Sequence, residues 1–231
     1  MSKLRTGRIG RWVRAYSYPI GAGTKSSSPP IFAADRPTEG PLALSFLDLV
    51  EILFVRAFLD RGVSMPTIRR AAVEGVKIFK VTHPFCPKRF ETDGRGIFAN
   101  VAKDAGDEAI VNLVSSQAVF PDVIRPLFKQ IDYDIVSEMA SVWWPCGRDV
   151  PVVLDPTRAF GTPIVADRGV PTHVLAGPVE AGDSPELVAR WFEVPIADVR
   201  DYDVRHLLEI EELPKKGNET GKVNIYVPKR L

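Results

Sequence analysis

A chain of 231 residues with 45% hydrophobic and 9% aromatic content carries enough apolar surface for one large or two modest folded domains, which excludes a wholly disordered protein. Its densest apolar stretch, Leu42 to Leu59, is broken by Asp48, Glu51 and Arg56, so it excludes a membrane span, and the first residues lack the apolar run of a signal peptide. Two cysteines, Cys86 and Cys146, are too few for a disulfide framework and read as packing residues of a cytoplasmic protein, while a net charge of +1 conceals strong segregation along the chain.

Residues 1–30 hold six Lys or Arg and no Asp or Glu. Within them Arg5, Arg8, Arg11 and Arg14 recur every third residue with Ile9, Trp12 and Val13 between, which predicts a helix over Thr6 to Tyr16 bearing a basic stripe. Gly7 and Gly10 weaken that helix intrinsically. Ser17 to Gly40 reads as a loop that suits a wing, with "GTKSSSPP" as its most flexible part, Lys25 as a further cation and Ile31 to Ala33 as a short strand. "SFLDLVEILFVRAFLDRG" predicts a long helix with Ser45 at the N-cap, Asp48 as its capping partner and Gly62 at the stop. Its apolar residues, Phe46, Leu49, Val50, Leu53, Phe54 and Phe58 among them, cover more than one face, so deep burial or a face shared in a homodimer is expected. A further helix starts at Ser64 with Pro66 in its first turn.

After "HPFCPKRF" the texture changes. "GIFANV" and "AIVNLV" read as a hairpin, "VFPDVIRPLFKQI" as a helix, and "ASVWWPCG" and "VPVVLDP" as strands. Residues 180–212 then carry ten Asp or Glu against three Arg, and "SPELVARWFEVPIADVR" inside them outlines a helix, a turn and a helix. Ser184 is its N-cap, with Leu187, Val188, Trp191 and Phe192 as the buried face. Acidity of this degree repels phosphate, so these late helices are not the DNA reader. From Pro214 to Leu231 five Lys or Arg face one Glu.

Catalytic motifs are missing. There is no GxxxxGK loop and no GxSxG elbow, and Asp155 in "LDPTRAFG" reads as a turn cap rather than a catalytic acid, so no enzyme activity is expected. His83, three residues before Cys86, is half of a zinc spacing without a second pair, so neither a metal nor another cofactor is expected.

The order of basic helix, wing, long apolar helix and "RGVSMPTIRR" over residues 5–75 resembles the DNA-binding region of MerR-type regulators. That family's first helix would precede Arg5, where only Met1 to Leu4 stand, so the unit is either vestigial or preceded by chain before the assigned start. "FGTPIVADRGVPTHVLAGPVEAGDSPELVARWFEVPIADVRDYDVRHLLE", from about Phe160 to Glu212, resembles a small helical domain of bacterial antitoxins, formerly of unknown function. With "WWPCGRDVPVVLDP" between them, the whole is similar to a VapB-type antitoxin encoded beside a PIN-like ribonuclease toxin. That resemblance implies operator DNA contacts by Arg5, Arg8, Arg11, Arg14 and Lys25. It also implies toxin contacts by an extended basic tail, through Lys222, Tyr226, Lys229 and Arg230.

The expected fold is α+β: a MerR-like winged helix-turn-helix-like region over 1–80, a central region over 81–159 with a small antiparallel sheet and a helix, a helical helix-turn-helix-like domain over 160–213, and the tail over 214–231. The alternative is a stand-alone MerR-like regulator with a small ligand lodged among Trp143, Trp144 and Phe160.

Overall fold

The computed structural model describes residues 4–21, 23–35, 43–105, 108–115 and 119–200, and two strand fragments at 210–211 and 224–225. In chain order the elements are β1 (Leu4–Arg5), α1 (Thr6–Val13), β2 (Tyr16–Gly21), β3 (Thr24–Ser28), β4 (Ala43–Leu44), α2 (Phe46–Asp60), α3 (Met65–Phe79), α4 (Phe90–Ala105), α5 (Glu108–Ser115) and α6 (Val119–Lys129). There follow β5 (Ile131–Tyr133), β6 (Ala140–Trp143), β7 (Val152–Val153), β8 (Ile164–Val165), α7 (Thr172–Glu180), α8 (Pro185–Trp191), α9 (Ile196–Arg200), β9 (Ile210–Glu211) and β10 (Asn224–Ile225). No described helix is long and apolar enough to cross a membrane.

Local signals set the helix starts. Ser45 Oγ accepts from the Asp48 amide at 3.0 Å while Asp48 Oδ2 accepts from the Ser45 amide at 2.8 Å, a reciprocal capping box that satisfies two otherwise orphaned donors. Gly62, at φ 81°, ends that turn. Ser64 caps α3, with Pro66 in its first turn, and Ser184 caps α8 ahead of Pro185. The expected loop over Ser17 to Gly40 is largely a hairpin instead: β2 and β3 pair antiparallel from Tyr16↔Ser28 to Gly21↔Thr24, and Ile31 to Ala33 is not a strand. A serine run reads as flexible by composition, yet "TKSSS" is here held by ladder hydrogen bonds.

The expected hairpin over "GIFANV" and "AIVNLV" is overturned, because both segments are helical, in α4 and α5. Ile97, Phe98, Val101, Ile110 and Leu113 are buried at spacings of one, three and four, and Arg95 caps the end of α5 by donating to the Val114 carbonyl at 3.1 and 2.9 Å. The antiparallel strands of the central region lie later. β5 pairs with β6, β7 with β8, and a bridge from Trp143 to Leu154 links the two ladders.

One contiguous core runs from Ile9 to Leu154, across the expected boundary at residue 80. Its centre is aromatic. Phe58 lies 4.5 Å from Phe98, 5.7 Å from Phe85, 6.0 Å from Phe120 and 6.3 Å from Phe90 between ring centroids, mostly tilted or edge-on as ring quadrupoles favour. A second core, of Val165, Leu175, Val188, Ala189, Val194 and Val199, holds the C-terminal module. β1 pairs in parallel with β9 and β4 with β10, so the two late fragments return to the N-terminal part of the fold.

Phe46, Leu49, Val50, Phe54 and Phe58 are all buried inside the protomer and Leu53 partly so. The homodimer face expected on α2 does not fit this burial: the apolar excess of that helix is absorbed by α4, α6 and the loop carrying Phe85.

Candidate functional site

Helix α1 is anchored by its apolar residues. Ile9, Trp12 and Val13 are buried, Arg11 is exposed and Arg14 half-buried. Arg5 lies in β1 and Arg8 in α1, with their side chains outside the described set. The Ile31 amide donates to the Trp12 carbonyl at 2.8 Å, so the hairpin leaves and returns at the end of α1. Lys25 is exposed on that hairpin, opposite Pro19.

Where α1, α2 and α3 meet, Arg11, Arg56 and Arg69 converge on one open cleft of about 500 Å³, together with Trp12, Tyr16, Leu59, Asp60 and Met65. Arg56 Nε donates to both Asp60 oxygens at 2.8 Å, one turn apart on α2. Arg69 Nε donates to the Pro29 carbonyl at 3.0 Å, which ties α3 to the exit of the hairpin. Three guanidinium groups against one carboxylate make this an anion-accepting surface, and arginine forks match phosphate oxygens in pairs. Arg56 and Arg69 escaped the sequence reading. The available signal for Arg56 was the lone cation of an apolar-rich helix, four residues before Asp60.

A second constellation lies deeper. His83 and Cys86, close in sequence, do not face one another. His83 Nε2 is 2.9 Å from Asp48 Oδ1, and its Nδ1 is 3.1 Å from Thr82 Oγ1 and 3.9 Å from Asp35 Oδ1. Cys86 Sγ donates to Glu51 Oε2 at 3.2 Å, and the Phe85 amide donates to the same oxygen at 3.2 Å. Asp48 and Glu51 sit on one face of α2, so this network clamps the segment around Asp35 and the loop around His83 onto the helix. Burial pushes the Glu51 carboxyl up to about 8, against the opposing pull of His83 and the Cys86 and Phe85 donors. Burial alone would lower His83, but the hydrogen bond to Asp48 and the charges of Glu51, Asp35 and Asp48 leave it raised. Burial, then the Glu51 charge, lifts the Cys86 thiol well above its usual range, and the thiol proton is held on Glu51. Among the described residues Asp35, Asp48 and His83 are the donors close enough to share a metal, with donor atoms within 4.8 Å. Asp48 Oδ1 accepts from the Asp35 amide at 3.4 Å and meets His83 Nε2 at 2.9 Å, so these contacts clamp both segments to α2.

The other sequence candidates separate. Trp143 is in the core, Trp144 Nε1 donates to Asp132 at 2.8 Å beneath the Arg148 guanidinium, and Phe160 is exposed, so the three do not share a pocket. Asp155 caps its turn, accepting from the Thr157 amide at 2.8 Å and hydroxyl at 2.7 Å. In the C-terminal module Val188 is buried as expected, but Trp191 is 55% exposed, placed outward by the last turn of the short α8. Lys222, Tyr226, Lys229 and Arg230 lie outside the described residues, as does His206.

Comparison with known proteins joins these parts. Residues 152–202 match a family described as a protein of unknown function, DUF433, which coincides with the C-terminal module. A Mycobacterium tuberculosis protein named "Putative antitoxin VapB45" is 27% identical over 202 residues, covering 84% of each chain. The crystal structure of Rv2018 from Mycobacterium tuberculosis is similar at a TM-score of 0.58 and 26% identity, covering 82% of this chain and 84% of that one.

Proposed function

We propose that this chain is the antitoxin of a toxin-antitoxin pair. It neutralises a PIN-like ribonuclease toxin by binding it and represses its own operon by binding operator DNA, in the cytoplasm where both targets reside. The observation that carries the reading is the extent of the similarity to the relative named as an antitoxin: it spans 84% of both chains, far more than the C-terminal module by itself. A shared C-terminal module alone would have been weaker support.

Both halves of the activity call for cations aimed at an acidic target, and the sequence supplies basic residues at both ends of the chain. Operator binding rests on cations that displace counterions from phosphates, and Arg5, Arg8, Arg11, Arg14 and Lys25 are assigned to it, supplemented by Arg56 and Arg69 around the cleft. Neutralisation is assigned to the C-terminal part. A ribonuclease that holds metal ions with carboxylates offers an acidic target, and Lys222, Lys229 and Arg230, with Tyr226 as an apolar anchor, would occupy it if the segment around β10 exchanges its pairing with β4 for an extended contact with the toxin. No bond is made or broken in either step.

The test is co-expression with the product of the adjacent gene, for the full chain and for a chain ending at Leu213, followed by copurification and a ribonuclease assay. A tight complex with suppressed cleavage, lost on removing the tail, is the expected result. Absence of any complex with the full chain would overturn the antitoxin assignment. DNA binding is tested separately: Arg8→Ala with Arg11→Ala lowers operator affinity and leaves inhibition of the toxin intact.

A further inference from the structure

The turn between β5 and β6 presents the two most exposed large aliphatic side chains among the described residues, Ile135 at 94% and Val136 at 92% exposure. Floppiness does not explain them. Asp134 Oδ1 accepts from the Val136 amide at 3.2 Å, the Ser137 amide at 2.7 Å and the Ser137 hydroxyl at 2.8 Å. The Asp134 amide donates to the Met139 carbonyl at 2.9 Å, and the Glu138 carbonyl accepts from the Lys88 amide at 2.8 Å. A turn pinned this way from both sides holds an apolar knob rigidly in water, an arrangement that favours burial against something else.

Beside the knob lies a matching recess. A cleft of about 460 Å³ is floored by Phe128, Ile131 and Tyr133 and rimmed by Lys88, Arg125 and Lys129. Ile131 and Tyr133 belong to the strand that leads into the knob, and Lys88 is bonded through its amide to the knob's own turn, so knob and cleft share one surface. Their charges are opposite. The turn segment Asp134 to Glu138 contains two acids and no base. The acids on the cleft wall are Glu91 and Asp132; Asp132 is engaged by Arg148 at 2.6 Å and by Trp144, and Arg125 lies 3.5 Å from Asp122, so Lys88 and Lys129 outweigh Glu91 on the rim.

We infer that this surface is a self-complementary homodimer interface, in which the Ile135–Val136 knob of each copy enters the cleft of the other. A two-fold axis pairs one patch with itself, so a knob and its cleft side by side give two equivalent contacts and a closed dimer rather than a chain of copies. The acidic flanks of the turn meet the basic rim across both contacts. One knob in one cleft on each side is a small contact, so weak, concentration-dependent association is expected. This inference does not depend on the antitoxin reading.

Sedimentation equilibrium of the full chain, from micromolar to near-millimolar concentration, tests it with two double variants. Ile135→Ser with Val136→Ser removes the knob; Lys88→Glu with Lys129→Glu reverses the rim. Both sets are solvent-exposed, so circular dichroism and thermal midpoint should match the parent, and if one variant does not fold the other still reads the contact. The parent is expected to shift from monomer to dimer, and each variant to weaken dimerisation at least about tenfold. An equimolar mixture of the two variants retains one intact knob-in-cleft contact and is expected to associate more strongly than either alone. A parent that stays monomeric throughout, as it would if the knob serves a different protein, overturns the inference. So does a dimer that neither variant weakens, or a mixture that gains nothing.

Discussion

Replacing Glu51 by glutamine isolates the most perturbed acid of the fold. Its carboxyl is fully buried on α2 and raised from 4.5 to about 8. Between those values the folded state keeps a proton that the unfolded chain has released. The native state therefore binds more protons than the unfolded one, and stability falls as pH rises across that window. Below it both states are protonated and above it both are ionised, so the slope is confined to about pH 4.5–8. A difference of this size corresponds to at most about 5 kcal/mol, at about 1.4 kcal/mol per unit. His83, also raised, loses its favourable proton as pH rises through its folded value and adds to the fall in the same direction. Asp132 is lowered below 3.8, first against burial and then by Arg148 and Trp144, so its contribution is lost only in more acid solution and does not interfere. Urea unfolding followed by tryptophan fluorescence from pH 5 to 9 reads the effect. The parent midpoint should drop by roughly 1.5–2 M over the range, given a slope of about 2–3 kcal/mol per M for a chain of this size. Glu51→Gln keeps the acceptor for Phe85 and Cys86 but cannot ionise, so its profile should be much flatter, with only the His83 part remaining. Two parallel profiles, or a parent that gains stability between pH 5 and 8, would refute the burial argument.

Three further outcomes follow from packing and charge. Phe58→Ala empties the centre of the aromatic core and should cost about 3–5 kcal/mol in a denaturant melt, with the C-terminal module less affected because its core is separate. Gly94→Ala places a methyl group 2.7 Å from Phe90 Cε2 and 2.9 Å from Phe120 Cζ, so despite alanine's better helix propensity it should lower stability by about 1–3 kcal/mol; a thermal midpoint at or above the parent's would contradict the tight approach. Arg69→Ala, measured by anisotropy on operator DNA over a salt series, should reduce the salt slope by about 0.9 if the cleft seats one phosphate, and an unchanged slope would remove Arg69 from the DNA face.

What the sequence determined by itself was mostly local. The starts of α2, α3 and α8 were legible because a cap is written within about four residues: serine, its acceptor geometry, and a proline or acid at the right offset. The helix at Thr6–Val13 was legible in part, since it ends before the expected Tyr16 and carries Arg8 and Arg11 but neither Arg5 nor Arg14, and the Asp155 turn was legible from its composition. Short apolar runs such as "GIFANV" and "AIVNLV" carry no such marker. Strand and helix bury them equally well, and packing of Phe98 against Phe58 and Phe120 decided for helix. The same holds for the sites. Residues 11, 56 and 69 become one cationic cleft, and residues 35, 48 and 83 one clamp, only when α1, α2, α3 and the loops between them pack. Spacing along a chain records neighbours within a turn of helix; it does not record which faces of distant elements the core brings together, and that choice was made by tertiary contact.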